Sequence, residues 1–189
     1  MNLFYTTTVG YNVDQPNPDR SLGGYKSSTM VVNDDFGNMF DELSIMTLKS
    51  GRDEYRAIVL KNEFQIPADN IKVSIVRPAD SVCTYKVGIG VLNGVNKYNQ
   101  QYMENVLTGN NKPFHAQFVE MSEGVELNLG SLKPGEEIGL WVCRHVDKEE
   151  ARKQYEEICE PDPSDPTGRM YRPVTHPKEE SINLVISWN

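Results

Sequence analysis

Much of the chain alternates between apolar and polar positions, the period expected of β-strands rather than helices. The clearest run covers residues 138–146. One of its faces carries Ile138, Leu140, Val142 and Val146, interrupted by Arg144, and the other carries Gly139, Trp141, Cys143 and His145. Because both faces are largely apolar, this run is predicted to be a central strand of a sheet.

Shorter runs with the same period occur on both sides of this strand. They predict strands at residues 43–48, 54–60, 71–75, 82–92, 114–119, 125–129 and 181–189. Turn residues separate the runs, most clearly at Lys133-Pro134-Gly135-Glu136, where proline followed by glycine suits a type II turn. The pattern therefore predicts about eight strands in all.

One segment has a helical period instead. Asp147 and Glu150 stand where the cap and third residue of a helix are expected, and Ala151, Tyr155 and Ile158 follow on one face. This predicts a short helix of about three turns. Five prolines between positions 161 and 177 then predict an extended, stiff segment, so residues 147–180 form an insertion between two core strands.

Two regions lack a clear period. Residues 1–35 scatter Tyr5, Tyr11 and Tyr25 among polar residues, prolines and glycines. They are predicted to be an extended N-terminal arm, either a plain tail or a segment that becomes ordered against a neighbour. The asparagine-rich stretch 93–111, with Tyr98 and Tyr102, is predicted to be a long exposed loop.

These elements predict an all-β protein, an antiparallel immunoglobulin-like β-sandwich with an extended N-terminal arm and one short inserted helix. The arm comprises residues 1–35, and residues 36–189 form the sandwich domain with its insertion at 147–180.

Composition and charge argue against several classes of function. The formal net charge is −8 and basic residues are not clustered, which argues against direct binding of nucleic acid. No apolar run is long enough for a membrane span, and the start of the chain lacks the pattern of a secretory signal. The odd cysteine count, Cys83, Cys143 and Cys159 without a Cys-x-x-Cys pair, predicts reduced thiols.

A catalytic or metal site is not predicted. The three histidines, His115, His145 and His176, have no recognisable nucleophile motif beside them. Cys143 and His145 share a strand face, but two ligands without a third do not make a metal site. We therefore expect a protein that is not an enzyme and has no cofactor.

Four segments in order resemble a pattern of tailed-bacteriophage virion structural proteins, across residues 43–146. They are Glu54-Tyr55-Arg56-Ala57-Ile58-Val59-Leu60-Lys61-Asn62, then Asn70-Ile71-Lys72-Val73, then Leu129-Gly130-Ser131-Leu132-Lys133-Pro134-Gly135-Glu136, then Ile138-Gly139-Leu140-Trp141-Val142-Cys143-Arg144. In that family these segments belong to a small β-sandwich. The N-terminal segment and the insertion after Val146 depart from the pattern.

The resemblance implies a structural protein of the virion, made in the host cytoplasm. A head auxiliary (decoration) protein, as in crAss-like or similar phages, is the favoured version, and neck or tail roles are alternatives. Its partners would then be the major capsid protein, other virion proteins or further copies of itself. A glycan-binding surface sandwich is the competing interpretation. The candidate interface residues are Tyr5, Tyr11, Tyr25, Tyr98, Tyr102, Tyr155 and Ile158.

Overall fold

The computed structural model of the protein describes residues 1–32, 38–78, 81–90, 94–95, 100–175 and 182–189. The strands are β1 (Asn2–Thr7), β2 (Tyr25–Met30), β3 (Arg52–Lys61), β4 (Ala68–Val76), β5 (Cys83–Gly90), β6 (Gly94–Val95), β7 (Gln101–Tyr102), β8 (Gln117–Glu120), β9 (Leu127–Leu132), β10 (Glu137–Val146), β11 (Cys159–Pro161), β12 (Tyr171–Pro173) and β13 (Asn183–Ser187). The helices are α1 (Ile45–Ser50) and α2 (Lys148–Ile158), and Pro18–Arg20 forms a 3-10 turn.

The larger sheet has the strand order β2-β1-β3-β10-β5-β8. At its centre β3 and β10 pair along their whole lengths, from Arg52 opposite Val146 to Lys61 opposite Glu137. β5 pairs with the other edge of β10. The Trp141 strand is therefore central, as its two apolar faces predict.

A second sheet, in the order β13-β4-β9, packs on one face of the larger sheet. Apolar side chains from both sheets form one core between them, including Ile58, Leu60, Ile71, Val73, Val87, Leu129, Leu140 and Val142. All the strand pairs in the described residues are antiparallel. The predicted all-β antiparallel sandwich is confirmed at this level.

Side chains from residues 103–118 cover the opposite face of the larger sheet. Trp141 is 1% exposed there and shares a cluster with Tyr55 and Met103. Met103 occupies the space over Gly139, since a Cβ at that glycine would lie 2.5 Å from the methionine sulfur. The asparagine-rich stretch, predicted as an exposed loop, thus contains a buried core residue, Met103, as well as exposed residues such as Leu107.

The prediction of an extended arm at residues 1–35 is wrong for residues 1–32, the part that the structure describes. β1 pairs with β3, and β2 extends the sheet beyond β1. Phe4 and Tyr5 are buried. The polar residues of β1 can be buried because they have hydrogen-bond partners. The Ser21 hydroxyl accepts a hydrogen bond from the Thr6 amide at 2.8 Å. These residues therefore belong to the same sheet as β3 and β10.

The strand predicted at residues 43–48 is also wrong, because this segment contains helix α1. The Ser44 hydroxyl accepts a hydrogen bond from the Thr47 amide at 3.1 Å, which caps the helix start. Gly51, at φ 63°, ends it. Leu48 of this helix is fully buried in the main core. The described residues therefore contain two α-helices, α1 and α2, where the sequence predicted one.

The insertion after Val146 begins as predicted. Asp147 caps α2 and accepts hydrogen bonds from the amides of Glu149 and Glu150, each at 2.9 Å. Beyond α2 the proline-rich segment is not simply extended. It folds back as the β11–β12 hairpin. The helix packs against α1, and Ala151 and Ile158 lie in the main core.

Gln154 is an unusual part of this packing. It is 4% exposed, and neither of its side-chain amide atoms has a hydrogen-bond partner among the described residues. A buried amide without a partner costs about 1–3 kcal/mol. Gln154→Met keeps the length of the side chain and removes that cost, so we expect the free energy of unfolding in urea to rise by about 1 kcal/mol.

Gln117 offers a matched control for this substitution because its side chain is exposed. Gln117→Met should change the free energy of unfolding by less than about 0.5 kcal/mol. A loss of stability in the Gln154 variant would contradict the prediction and would show that the amide has a partner in solution.

Candidate functional site

The insertion contributes an exposed hairpin, formed by residues 159–175. Cys159 lies opposite Pro173 at its base, and Pro161 lies opposite Tyr171. The amide of Val174 donates to the carbonyl of Ile158 at 2.8 Å, which ties the returning strand to the end of α2. The hairpin therefore projects from a helix that is itself packed on the core.

A carboxylate organises the tip of the hairpin. Asp165 accepts hydrogen bonds from the amides of Thr167, Arg169 and Met170, at 2.9, 2.8 and 2.7 Å. The Thr167 hydroxyl donates to it as well, at 2.7 Å. These donors, the threonine side chain first, lower the pKa of Asp165 to about 2. The turn is thus held by a charged group that stays ionised at neutral pH.

The hairpin presents apolar side chains to solvent. Met170, Tyr171 and Val174 are each more than half exposed. The Tyr171 ring lies 6.5 Å from the ring of Tyr155 on α2. Exposed apolar side chains on a segment already held by hydrogen bonds can bind a protein partner without a large cost of ordering.

Two of the predicted interface residues are not available to a partner. Tyr5 is 5% exposed, and its hydroxyl donates to the carbonyl of Asn38 at 2.6 Å. Burial raises its pKa. Ile158 is 6% exposed and belongs to the main core. Both side chains stabilise the fold of this chain.

The other predicted interface tyrosines lie nearer the surface. Tyr11 is half-buried and donates its hydroxyl to Glu137 at 2.6 Å, so burial and this hydrogen bond raise its pKa. The rings of Tyr25 and Tyr102 pack on each other at 5.4 Å. Tyr155 is half-buried beside the hairpin. Tyr98 lies outside the described residues.

Cys143 and His145 lie on the same face of β10, as predicted. Cys143 is buried there, whereas His145 is partly exposed. Burial raises the pKa of the Cys143 thiol to about 12, so it is neutral at physiological pH and a poor nucleophile. His145 Nδ1 lies 2.5 Å from one carboxylate oxygen of Asp53, and the other oxygen accepts a hydrogen bond from the Tyr55 hydroxyl at 3.2 Å. In the part of the chain that is described, no three His, Cys, Asp or Glu residues are grouped to hold a metal ion.

A buried charge cluster is the feature that the sequence pattern did not reveal. Arg144 and Glu54 form an ion pair with side chains only 2% and 5% exposed. Arg56 pairs with Asp19, and the guanidinium groups of Arg56 and Arg144 both lie over the Phe40 ring, 5.5 and 4.8 Å from its centre. Alternation places Arg144 on the strand face that carries Leu140 and Val142, but it could not show which carboxylate the guanidinium would meet.

Comparisons with protein-family models, with curated proteins and with solved structures found no match. Neither helix of the described residues is long and apolar enough to cross a membrane.

Proposed function

We propose that this protein is a non-enzymatic structural component of a bacteriophage virion, an auxiliary protein of the capsid that docks through the 159–175 hairpin. The proposal takes the sandwich to be of the immunoglobulin-like type and places the protein on the head rather than in the neck or tail. The resemblance across residues 43–146 motivates the virion assignment.

The observation that carries the docking role is the exposed apolar row on the hairpin. About half of each of these side chains, Met170, Tyr171 and Val174, remains in solvent. Their backbone is nevertheless held in place: Met170 donates to Asp165, Tyr171 lies in the β11–β12 pair, and Val174 donates to the Ile158 carbonyl. A segment ordered in this way loses little conformational entropy on binding. Because each side chain is already about half buried, covering its exposed part would supply about 1 kcal/mol, and the three together would be enough for attachment to a shell.

The assignment is tested on virions of the phage that encodes the chain. Mass spectrometry of purified particles should find the protein, and cryo-electron microscopy should place it on the outside of the head. Its absence from purified virions would overturn the virion proposal. Density in the neck or tail alone would refute the placement on the capsid.

The docking role is tested with the triple variant Met170→Ser, Tyr171→Ser and Val174→Ser. We expect occupancy on particles to fall at least about tenfold, since a loss of about 1.4 kcal/mol is sufficient for that factor. The thermal midpoint of the free protein should fall only slightly, because each side chain is about half exposed and none belongs to a core cluster.

The matched control replaces three exposed apolar residues elsewhere, Val9→Ser, Met46→Ser and Ile66→Ser. This variant should load at the level of the unmodified protein. Equal loading of both variants would show that the hairpin is not the contact.

A further inference from the structure

The strands β11 and β12 form a two-stranded ribbon, and no other strand of the described residues covers its outer edges. Strand edges with free backbone groups can pair with another chain, above all where apolar side chains lie close by. Met170, Tyr171 and Val174 lie on this hairpin and are more than half exposed. The free chain would therefore associate with further copies at this ribbon unless the edges are blocked.

The hydrogen bonds between the two strands define which positions face inward. The Val174 amide donates to the Ile158 carbonyl, and the Asp162 amide donates to the Met170 carbonyl, each at 2.8 Å. Both pairs continue the register of β11 and β12. In an antiparallel pair, hydrogen-bonded positions alternate with positions whose backbone groups point away from the partner strand. Every second residue of each strand therefore presents its amide and carbonyl to the outer edge.

The outward positions are Cys159 and Pro161 on β11, and Tyr171 and Pro173 on β12. Proline has no amide hydrogen, so two of these four positions cannot donate a hydrogen bond. The Cys159 amide already donates to the Tyr155 carbonyl at the end of α2. The outer edge of β11 is thus left without a free donor, and that of β12 keeps a single one, at Tyr171.

The prolines of the hairpin fall into two kinds. A proline at an inward position would remove a hydrogen bond from the hairpin itself, whereas Pro161 and Pro173 leave the ladder between β11 and β12 intact. Pro163 and Pro166 lie in the turn that joins the strands, outside both edges. The two prolines on the strands therefore act only on what could be added from outside.

We propose that Pro161 and Pro173 guard the edges of this ribbon and keep free copies of the chain from pairing through it. An approaching strand meets no free donor along β11 and one along β12, so it cannot form a regular ladder with either. The exposed apolar side chains can then be presented without strand pairing between free chains. This inference concerns the purified protein and holds or fails independently of any virion.

The edge variant, Pro161→Thr with Pro173→Thr, restores both amides and introduces a residue that suits strands. Because the paired strands would be short, we expect this variant to associate with a dissociation constant of about 100 µM. Sedimentation velocity at concentrations up to about 500 µM, which exceeds that constant, measures the effect. The mean mass of the variant should rise above the 21.4 kDa monomer, and the unmodified chain should stay at that mass.

Nuclear magnetic resonance spectra of the backbone amides, recorded at about 20 and 500 µM, locate the contact. In the edge variant the new amides at positions 161 and 173 and the amide of Tyr171 should shift with concentration. The amides of Asp162 and Val174 should keep slow hydrogen exchange at both concentrations, because they belong to the inward ladder. Their protection shows that the hairpin is still formed.

The matched control, Pro163→Thr with Pro166→Thr, adds two amides in the turn and should stay as monomeric as the unmodified chain. An edge variant that keeps its hairpin but does not associate would overturn the proposal. Equal association of the control or of the unmodified chain would overturn it as well. So would loss of the hairpin in the edge variant, because the prolines would then serve the fold of the hairpin itself.

Discussion

Trp141→Ala is expected to lower the free energy of unfolding by about 3–5 kcal/mol, from lost burial and the cavity left behind. Trp141 is 1% exposed in the middle of β10 and contacts the cluster on the outer face of the larger sheet. Met103 lies over Gly139 in the same cluster, so the substitution also loosens the covering loop. Unfolding in guanidinium chloride, followed by circular dichroism, measures the effect.

Trp188 provides the control because it is the other tryptophan of the chain and is 41% exposed. Trp188→Ala loses packing against Phe64, whose ring centre is 5.9 Å away, but leaves no closed cavity. Its cost should be about 1 kcal/mol or less. A similar small loss for Trp141→Ala would contradict the structure and would place that side chain at the surface.

Arg144→Met is expected to cost about 3 kcal/mol, because it leaves the Glu54 carboxylate in the core without its main partner. Arg144 donates to Glu54 through Nε at 2.8 Å and to the Asp41 carbonyl through Nη1 at 2.7 Å. Arg52 still contacts Glu54 and offsets part of the loss, so the expected value is near the lower end for a broken buried pair. Urea unfolding at neutral pH measures it.

The double variant Glu54→Leu with Arg144→Met tests whether the loss of stability in Arg144→Met comes from the unpaired Glu54 carboxylate. If the penalty is the unpaired charge, the double variant should be more stable than Arg144→Met alone by about 1–3 kcal/mol. A double variant that is less stable than the single one would show that the loss came from the other contacts of Arg144, with Asp41 and the Phe40 ring. In that case the ion pair itself would contribute little.

The 159–175 hairpin and the loop at residues 104–115 show a limit of sequence patterns. Alternation assigns no face to Met170, Tyr171 or Leu107. It also predicts a strand that begins at Phe114, whereas the observed strand begins at Gln117 and Phe114 is exposed. Backbone amides of Arg169, Met170, Phe114 and His115 donate hydrogen bonds to the carboxylates of Asp165 and Glu104, and these bonds hold the backbone that presents the apolar side chains. Carboxylates between prolines or asparagines were a signal for such turns, but not for what the turns would display.

Local chemistry was sufficient for several elements. The alternation of β10, the cap of α2 at Asp147 and the turn at residues 133–136 all match the structure, where the Glu136 amide donates to the Lys133 carbonyl at 3.0 Å. Strand period, capping and turn dihedrals depend on neighbouring residues only, so the sequence by itself determined them.

Contacts distant in sequence decided the rest. β1 is a sheet strand because the Ser21 hydroxyl accepts a hydrogen bond from its Thr6 amide and because β3 offers an edge to pair with. The partner of Arg144 lies 90 positions away, at Glu54. The free energy of such contacts depends on which surfaces the fold brings together, and no short stretch of sequence contains that information.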